Sequence, residues 1–567
     1  MVVISPQLTL FGRGWPLARF RLTWRLVGAL VLALLGLFLV GARFAIFLSS
    51  LPLSVNAAPL VIPTLREWHG GLGTFTLSAG ARIVLDPPAA ARLRATALVF
   101  QQDLQAVSGL RLPIVTQETP STGDLWLTLK NDDPVIGSEG YVLVIADTLT
   151  ISAHTEAGIF YGTRTVLQML MQDPFRSQLA RGMARDYPRY PVRGFMLDVG
   201  RRYFTPGLLA DYIRLLSWFK MNEFQLHLND NAPGAGERPD WRRQYAAFRL
   251  QSARFRGLAA RDGAYSRADI ASLQALAQTH AVTLIPEIDT PAHDLALTQY
   301  RPDLASPHAS KEFLNLANPG SLRFVEDLWN EFLPWFASSQ VHIGADEYAL
   351  NDADRYRAFV NRLAAFLSSK GKTVRMWGSL SLMKSRVPVA RSIVLDIWNN
   401  RWANPVQMAR EGFQLINMND NLLYIVPRAG YYHDYLDTKT LYTRWQPFIF
   451  DLTDPHLNLA PNDPHLLGAM FALWNDKLNV VSDAQIDDRI EPAVHVLSQK
   501  LWSGETPLPY GQFVQLALQL SAVPGTHLPE PPLPFEFTPH QQGYGHEGRS
   551  LSRSEPLVMG TLWRRRL

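Results

Sequence analysis

Beyond Pro191 the chain repeats one pattern eight times: a short apolar run, then a polar stretch, usually with helical spacing. The runs cover residues 194–199, 223–228, 283–288, 340–344, 373–377, 392–398, 414–418 and 467–473. Apolar runs of five to seven residues without polar alternation are what strands covered on both faces require. Helical spacing follows over 206–220, 267–280, 322–336 and 354–370. Eight strands alternating with helices over about 300 residues predict a (β/α)8 barrel, whose functional groups gather where the strands end. A doubly wound open sheet has the same local pattern, but the first strand-to-helix junction has no glycine-rich phosphate loop.

Upstream, residues 75–78, 82–85, 125–129 and 141–145 read as strands, and 89–107 and 156–171 as helices. The expected organisation is a basic N-terminal segment over 1–57, a small α+β domain over 58–190, the barrel over 191–520, and an irregular tail over 521–567. The 17 residues 26–42 are uncharged and apolar, follow four arginines, and predict a signal peptide or a membrane anchor. Val55-Asn-Ala57 has the small residues of a cleavage site, although it lies far from that run. On either reading the rest of the chain is exported.

Charge excludes one class of partner. Five arginines among the first 43 residues outweigh the formal net charge of +4, so the remainder carries no basic excess with which to neutralise nucleic-acid phosphates. The absence of cysteine rules out thiolate catalysis, thiolate metal sites and disulfides.

The polar residues just past each predicted strand are Asp198 and Arg201; His227 and Asp230; Glu287, Asp289 and His293; Asp346 and Glu347; Trp377; Trp398; Tyr424; and Trp474 with Asp476. Carboxylates and histidines interleaved with indoles suit a sugar, whose pyranose faces are apolar and whose hydroxyls need charged partners. The bland readings are a helix cap for the Asp346-Glu347 pair and core packing for the tryptophans. His227, His293 and His342 have no HExxH-type spacing, and there is no GxSxG elbow, so neither a catalytic metal nor a serine triad is expected.

Four segments in order, Arg193-Gly-Phe-Met-Leu-Asp-Val-Gly-Arg201, Asn222-Glu-Phe-Gln-Leu-His-Leu-Asn-Asp230, Ile285-Pro-Glu-Ile-Asp-Thr-Pro-Ala-His293 and His342-Ile-Gly-Ala-Asp-Glu347, resemble the signatures of the family 20 glycoside hydrolases, the β-N-acetylhexosaminidases. The resemblance implies an exo-acting, retaining enzyme on glycans ending in β-linked N-acetylglucosamine or N-acetylgalactosamine, with no cofactor. By the same resemblance Glu347 is the general acid and base. Asp346 orients the acetamido nitrogen, Arg193 grips sugar hydroxyls, and Asp230 and His293 support the pair. Trp377, Trp398 and Trp474 wall the sugar, and Asp476 stands where a hydroxyl-binding Glu is usual. For the acetamido-binding tyrosine, Tyr424 is favoured over Tyr435 because it follows the seventh strand directly.

The pattern departs from the family where Ala345 and Ala292 replace usual glycines, which matters only where the backbone needs a positive φ. Release of a disaccharide, as by a lacto-N-biosidase, and binding without turnover are the competing expectations. The physical argument for the first reading is independent of the resemblance. Adjacent carboxylates are poorly placed as nucleophile and acid on opposite faces of one bond, whereas a substrate that supplies its own 2-acetamido nucleophile needs no second face.

Overall fold

The computed structural model describes residues 55–505 and 508–528 of the 567. The apolar run over 26–42 and most of the C-terminal tail lie outside the described residues. Among the described residues no helix is long and apolar enough to cross a membrane.

The first domain is a seven-stranded mixed sheet. Its order is Glu67–Thr76, Gln178–Asp186, Tyr141–Ile145, Leu149–Ala153, Leu125–Thr128, Ile83–Leu85 and Ile114–Thr116. Tyr141–Ile145 and Leu149–Ala153 alternate buried and half-buried residues, as strands with one packed face do. Two helices complete the domain. Ala90–Ser108 ends on Gly109, whose φ of +76° is the left-handed stop that glycine permits. Glu156–Gln172, capped by Thr155, is buried along most of its length because it also meets the barrel: Tyr161 donates to Ala281 O (2.9 Å) and Gln168 to Trp218 O (3.0 Å).

The second domain is a closed parallel barrel. In chain order its strands are Val192–Asp198, Glu223–His227, Thr283–Glu287, Gln340–His342, Thr373–Trp377, Val394–Ile397, Leu415–Asn417 and Leu466–Leu473. Each pairs with the next, and the eighth pairs with the first, so the (β/α)8 barrel preceded by an α+β domain is the observed fold. All seven residues of the first strand are buried, because parallel strands sit between the barrel interior and the helices. The helices Pro206–Trp218, Arg267–Thr279, Pro319–Phe332, Ala353–Ser369 and Asp483–Trp502 lie at or near the predicted places where predictions exist. Two open on reciprocal capping boxes, Ser266 with Asp269 and Ser482 with Gln485. After strands six and seven the helices shrink to Pro405–Arg410 and Thr438–Thr443, leaving long connections at the C-terminal mouth.

Candidate active site

The fourth strand is the shortest of the eight, and the backbone says why. Gly344 and Ala345 both turn to positive φ (+70° and +71°), and Glu347 follows at +48°. A Cβ on Gly344 would sit 1.7 Å from Asp289 Oδ1, so this position admits no side chain. Ala345 N–H donates to the same Asp289 oxygen (3.1 Å), while its carbonyl accepts from Tyr356 (2.5 Å) and Ser379 (3.1 Å). The loop is therefore pinned on three sides and delivers Asp346 and Glu347 into the mouth of the barrel.

A chain of charges runs from this pair along the mouth. His293 Nε2 stands 3.7 Å from both Asp346 Oδ2 and Glu347 Oε2, and His293 Nδ1 is 3.1 Å from Asp230 Oδ1. Asp230 Oδ2 meets His227 Nε2 and Arg201 Nη2, each at 2.8 Å. The remaining guanidinium contacts of Arg201 go to Asn231 O (2.8 Å), Asp198 (3.1 Å) and Asp476 Oδ1 (3.4 Å). Burial opposes charge on Asp230, yet Arg201 and His293 hold its carboxyl far below the usual range. Burial likewise opposes charge on His293, but Asp230 and Asp346 raise it well above an ordinary histidine, so it is an imidazolium. Burial first and then the Asp346 charge push Asp289 well above its usual value, so it holds a proton. Glu347 is pushed up to about 7, chiefly by desolvation and then by Asp346 and Glu312, against the cations of His293 and Arg201. A carboxylic acid near neutrality beside a carboxylate is a proton donor at working pH.

Beneath the cleft Glu287 is fully buried. It accepts from Gln225 (2.8 Å) and Trp377 Nε1 (2.7 Å), with His227 Nδ1 at 3.1 Å and His342 Nδ1 at 3.2 Å. Burial opposes its charge, but the two imidazoles bring Glu287 well below the carboxylate range. Trp377 is thereby fixed as the floor. Trp474 (5.7 Å between centroids) and Tyr424 extend the aromatic surface, the last two also 5.7 Å apart, and Trp398 lies in the same cluster. The Nε1 groups of Trp398 and Trp474 and Asp346 Oδ1 are buried without a protein partner, so the cleft presents two donors and an acceptor.

Glu347, Asp346, Asp230, His293, Trp377, Trp398, Tyr424, Trp474 and Asp476 thus come together at one end of the barrel. Arg193 does not. It lies at the start of the first strand, on the opposite mouth, fully buried, with Nε on Lys220 O (2.8 Å) and a two-pronged contact to Glu139 (2.8 and 2.9 Å). The arginine facing the cleft is Arg201. The mistake was avoidable, because Arg193 precedes the predicted strand and Arg201 follows it. Tyr435 is 42% exposed and lies against Arg489 (4.2 Å), outside the aromatic cluster that holds Tyr424. Of the two alanines, Ala292 has no positive φ, whereas Ala345 occupies the left-handed region where a methyl group is strained. Glu287 and Asp289 stood in the sequence as strand-end acids, and their supporting role required knowing what packs below the cleft.

Two groups bring three ligand atoms within 4.8 Å, His227 with Glu287 and Asp289, and Asp289 with His293 and Asp346. A metal needs neutral imidazole and ionised carboxylate. Here His293 is cationic, Asp289 is protonated, and His227 Nε2 is already on Asp230, so the donor chemistry does not fit an ion.

With this geometry in place, the relatives can be compared. The family model "Glycosyl hydrolase family 20, catalytic domain" matches residues 190–355 and 350–505, and "Glycosyl hydrolase family 20, domain 2" matches 58–187. The chain belongs to glycosyl hydrolase family 20. It is a glycosidase whose relatives are hexosaminidases. The Cellulomonas fimi beta-N-acetylhexosaminidase is 25% identical over 79% of this chain and 90% of its own length. The lacto-N-biosidase of Bifidobacterium bifidum is 23% identical over 79% of this chain, which spans only 40% of that larger protein. Among solved structures, a mutant Streptomyces plicatus beta-hexosaminidase in complex with product (GlcNAc) superposes with a TM-score of 0.69 at 21% identity, covering 85% of this chain and 98% of that one. This family 20 chain therefore pairs the family's catalytic barrel with its accompanying domain.

Proposed function

We propose that the protein removes single terminal β-linked N-acetylglucosamine or N-acetylgalactosamine residues from glycans, with retention of configuration and with the substrate's acetamido group as nucleophile. The observation that carries this reading is a protonated Glu347 next to Asp346 on one loop, with Asp346 Oδ1 left unpartnered. In the first step the acetamido oxygen bonds to C1 as the glycosidic C–O bond breaks, and Glu347 passes its proton to the departing oxygen. Asp346 holds the acetamido N–H and balances the positive charge of the oxazolinium, while Tyr424 holds the acetamido oxygen. Water then attacks C1, Glu347 takes its proton back, and the ring reopens to the free sugar. Arg201 and Asp476 bind hydroxyls at the far end of the pocket, and Trp377, Trp398 and Trp474 enclose the ring. No metal or organic cofactor enters any step.

The test is hydrolysis of nitrophenyl β-glycosides of N-acetylglucosamine, N-acetylgalactosamine and glucose. Both acetamido sugars should be cleaved and glucose spared, since glucose lacks the nucleophile. Cleavage of glucose at a comparable rate would overturn the mechanism. We further propose that the segment over 26–42 carries the catalytic unit out of the cytoplasm, where it meets glycans, and keeps it at the membrane unless it is cleaved. Recovery of activity from the cytosolic fraction alone would refute that.

A further inference from the structure

The proposed site leaves one contact at its far end unused. Asp476 Oδ1 faces Arg201, and Asp476 Oδ2 accepts a 2.7 Å hydrogen bond from the hydroxyl of Tyr431. Tyr431 comes from a different connection, the one after the seventh strand, so this bond crosses the mouth from one loop to another. The turn that presents it is built for the purpose. Arg428 (φ +54°) and Gly430 (φ +78°) reverse the chain, and the base is closed by Val426 N–H to His433 O (2.8 Å) and by Asp434 on Arg489 (2.8 Å). The neighbouring tyrosine turns the other way: Tyr432 donates to Asp420 (3.0 Å) and packs edge-on against Tyr424 (5.7 Å) inside the cleft. Tyr431 stays 51% exposed, so one side of its ring faces solvent while its hydroxyl is held at the pocket's end. Burial and the Asp476 charge raise this phenol, so it remains a donor throughout the working pH range.

The rest of the rail cannot do this job. The guanidinium of Arg201 is held by Asp198, Asp230, Asn231 and Asp476, and Asp230 is held by His227 and His293, so this part of the wall is fixed. Aspartate has one methylene fewer than glutamate and reaches less far, and a tether on its second oxygen fixes where its first can point. A closed far end admits one sugar, and an open one admits a sugar that carries another.

We infer that Tyr431 is a specificity-determining residue: by holding Asp476 across the mouth it ends the pocket after a single sugar and restricts the enzyme to terminal monosaccharides. This rests on the hydrolase reading above. The experiment uses the full-length protein with Tyr431→Phe and Tyr431→Ala, assayed on the nitrophenyl β-glycosides of N-acetylglucosamine and of galactosyl-N-acetylglucosamine. Tyr431→Phe should raise KM for the monosaccharide substrate about five- to tenfold with kcat and its pH profile within twofold, the pattern of lost uniform binding. Tyr431→Ala should gain at least about tenfold in release of intact disaccharide over the unchanged enzyme. Active variants with the parent's KM and product pattern would overturn the inference, as would an unchanged enzyme that already releases the disaccharide as fast as the monosaccharide. Inactivity of the unchanged enzyme on both substrates would instead remove the hydrolase reading, and this inference with it.

Discussion

The two mouths of the barrel carry similar residues used in opposite ways. At the N-terminal mouth Arg193 grips Glu139, and Lys220 grips Asp186 (2.8 Å), which also accepts from Tyr141 (2.6 Å) and Trp502 (2.9 Å). Glu139, Tyr141 and Asp186 belong to the α+β domain, so these buried ions are the bolts that join it to the barrel. Every oxygen of Asp186 and both prongs of Arg193 are engaged. At the C-terminal mouth Arg201 is equally buried, yet its neighbourhood holds an unpaired Asp346 oxygen, two unpaired indole N–H groups, an acid pushed up to about 7 and left-handed residues at 293, 345 and 347. Burial of charge alone therefore says nothing about function. Incomplete pairing and strained backbone together mark the working end.

The sharpest way to break the comparison is Glu347→Gln. It should cut kcat on a glycoside with a poor leaving group by about 10²- to 10⁴-fold, the usual worth of a positioned acid. In the unchanged enzyme kcat/KM should fall as pH rises through about 7, as Glu347 loses its proton. The same shift has a stability sign. A carboxyl whose folded pKa lies above its unfolded value costs stability as pH rises from the unfolded value near 4.3 towards 7. Glu347→Gln should therefore melt higher than the parent at pH 8 and at the same temperature at pH 4. A melting point lowered at pH 8 would remove Glu347 from the strained side of the comparison.

Next come the two arginines. Arg193→Met strands Glu139 in the domain junction and should lower stability by about 3–5 kcal/mol in denaturant titration, with KM of the surviving folded protein unchanged. Arg201→Lys keeps the charge but loses the planar fork, and should raise KM about tenfold or more with a much smaller stability loss. If Arg193→Met were the one to raise KM, the reassignment of the hydroxyl grip to Arg201 would fall.

How this error arose shows what a sequence carries. The barrel strands were legible because covering both faces of a parallel sheet demands runs such as Phe195-Met-Leu197 and Leu284-Ile285, which little else in a chain resembles. Glu67–Thr76 and Gln178–Asp186 escaped because they pair with each other at the sheet edge, where glycines and arginines meet water and no alternation is imposed. The acid pair, the two histidines and the indoles were legible as residue types at strand ends. Arg193 and Arg201 open and close one motif, and only strand direction separates them, by about 26 Å at roughly 3.3 Å per residue. Asp289 as a protonated anchor and Tyr431 as a tether depend on contacts between connections far apart in the chain, which no local pattern encodes.

The smallest expected effect tests whether strain at the working end is maintained by function or is incidental. Ala345 sits at φ +71°, where an L-residue with a Cβ costs about 1–2 kcal/mol. It stays there because its N–H is taken by Asp289 and its carbonyl by Tyr356 and Ser379. Glycine removes the steric cost but frees the unfolded chain by about 0.4–1 kcal/mol, and it gives up a methyl group that is fully buried. The balance favours Ala345→Gly by about 0.5 kcal/mol, read as a higher denaturant midpoint at unchanged slope, with kcat within twofold because the three hydrogen bonds still set the loop. A lower midpoint would mean that the methyl packs better than the backbone suffers. The alanine would then be a feature of this chain's core, and the strain at residue 345 would drop out of the contrast between the two mouths.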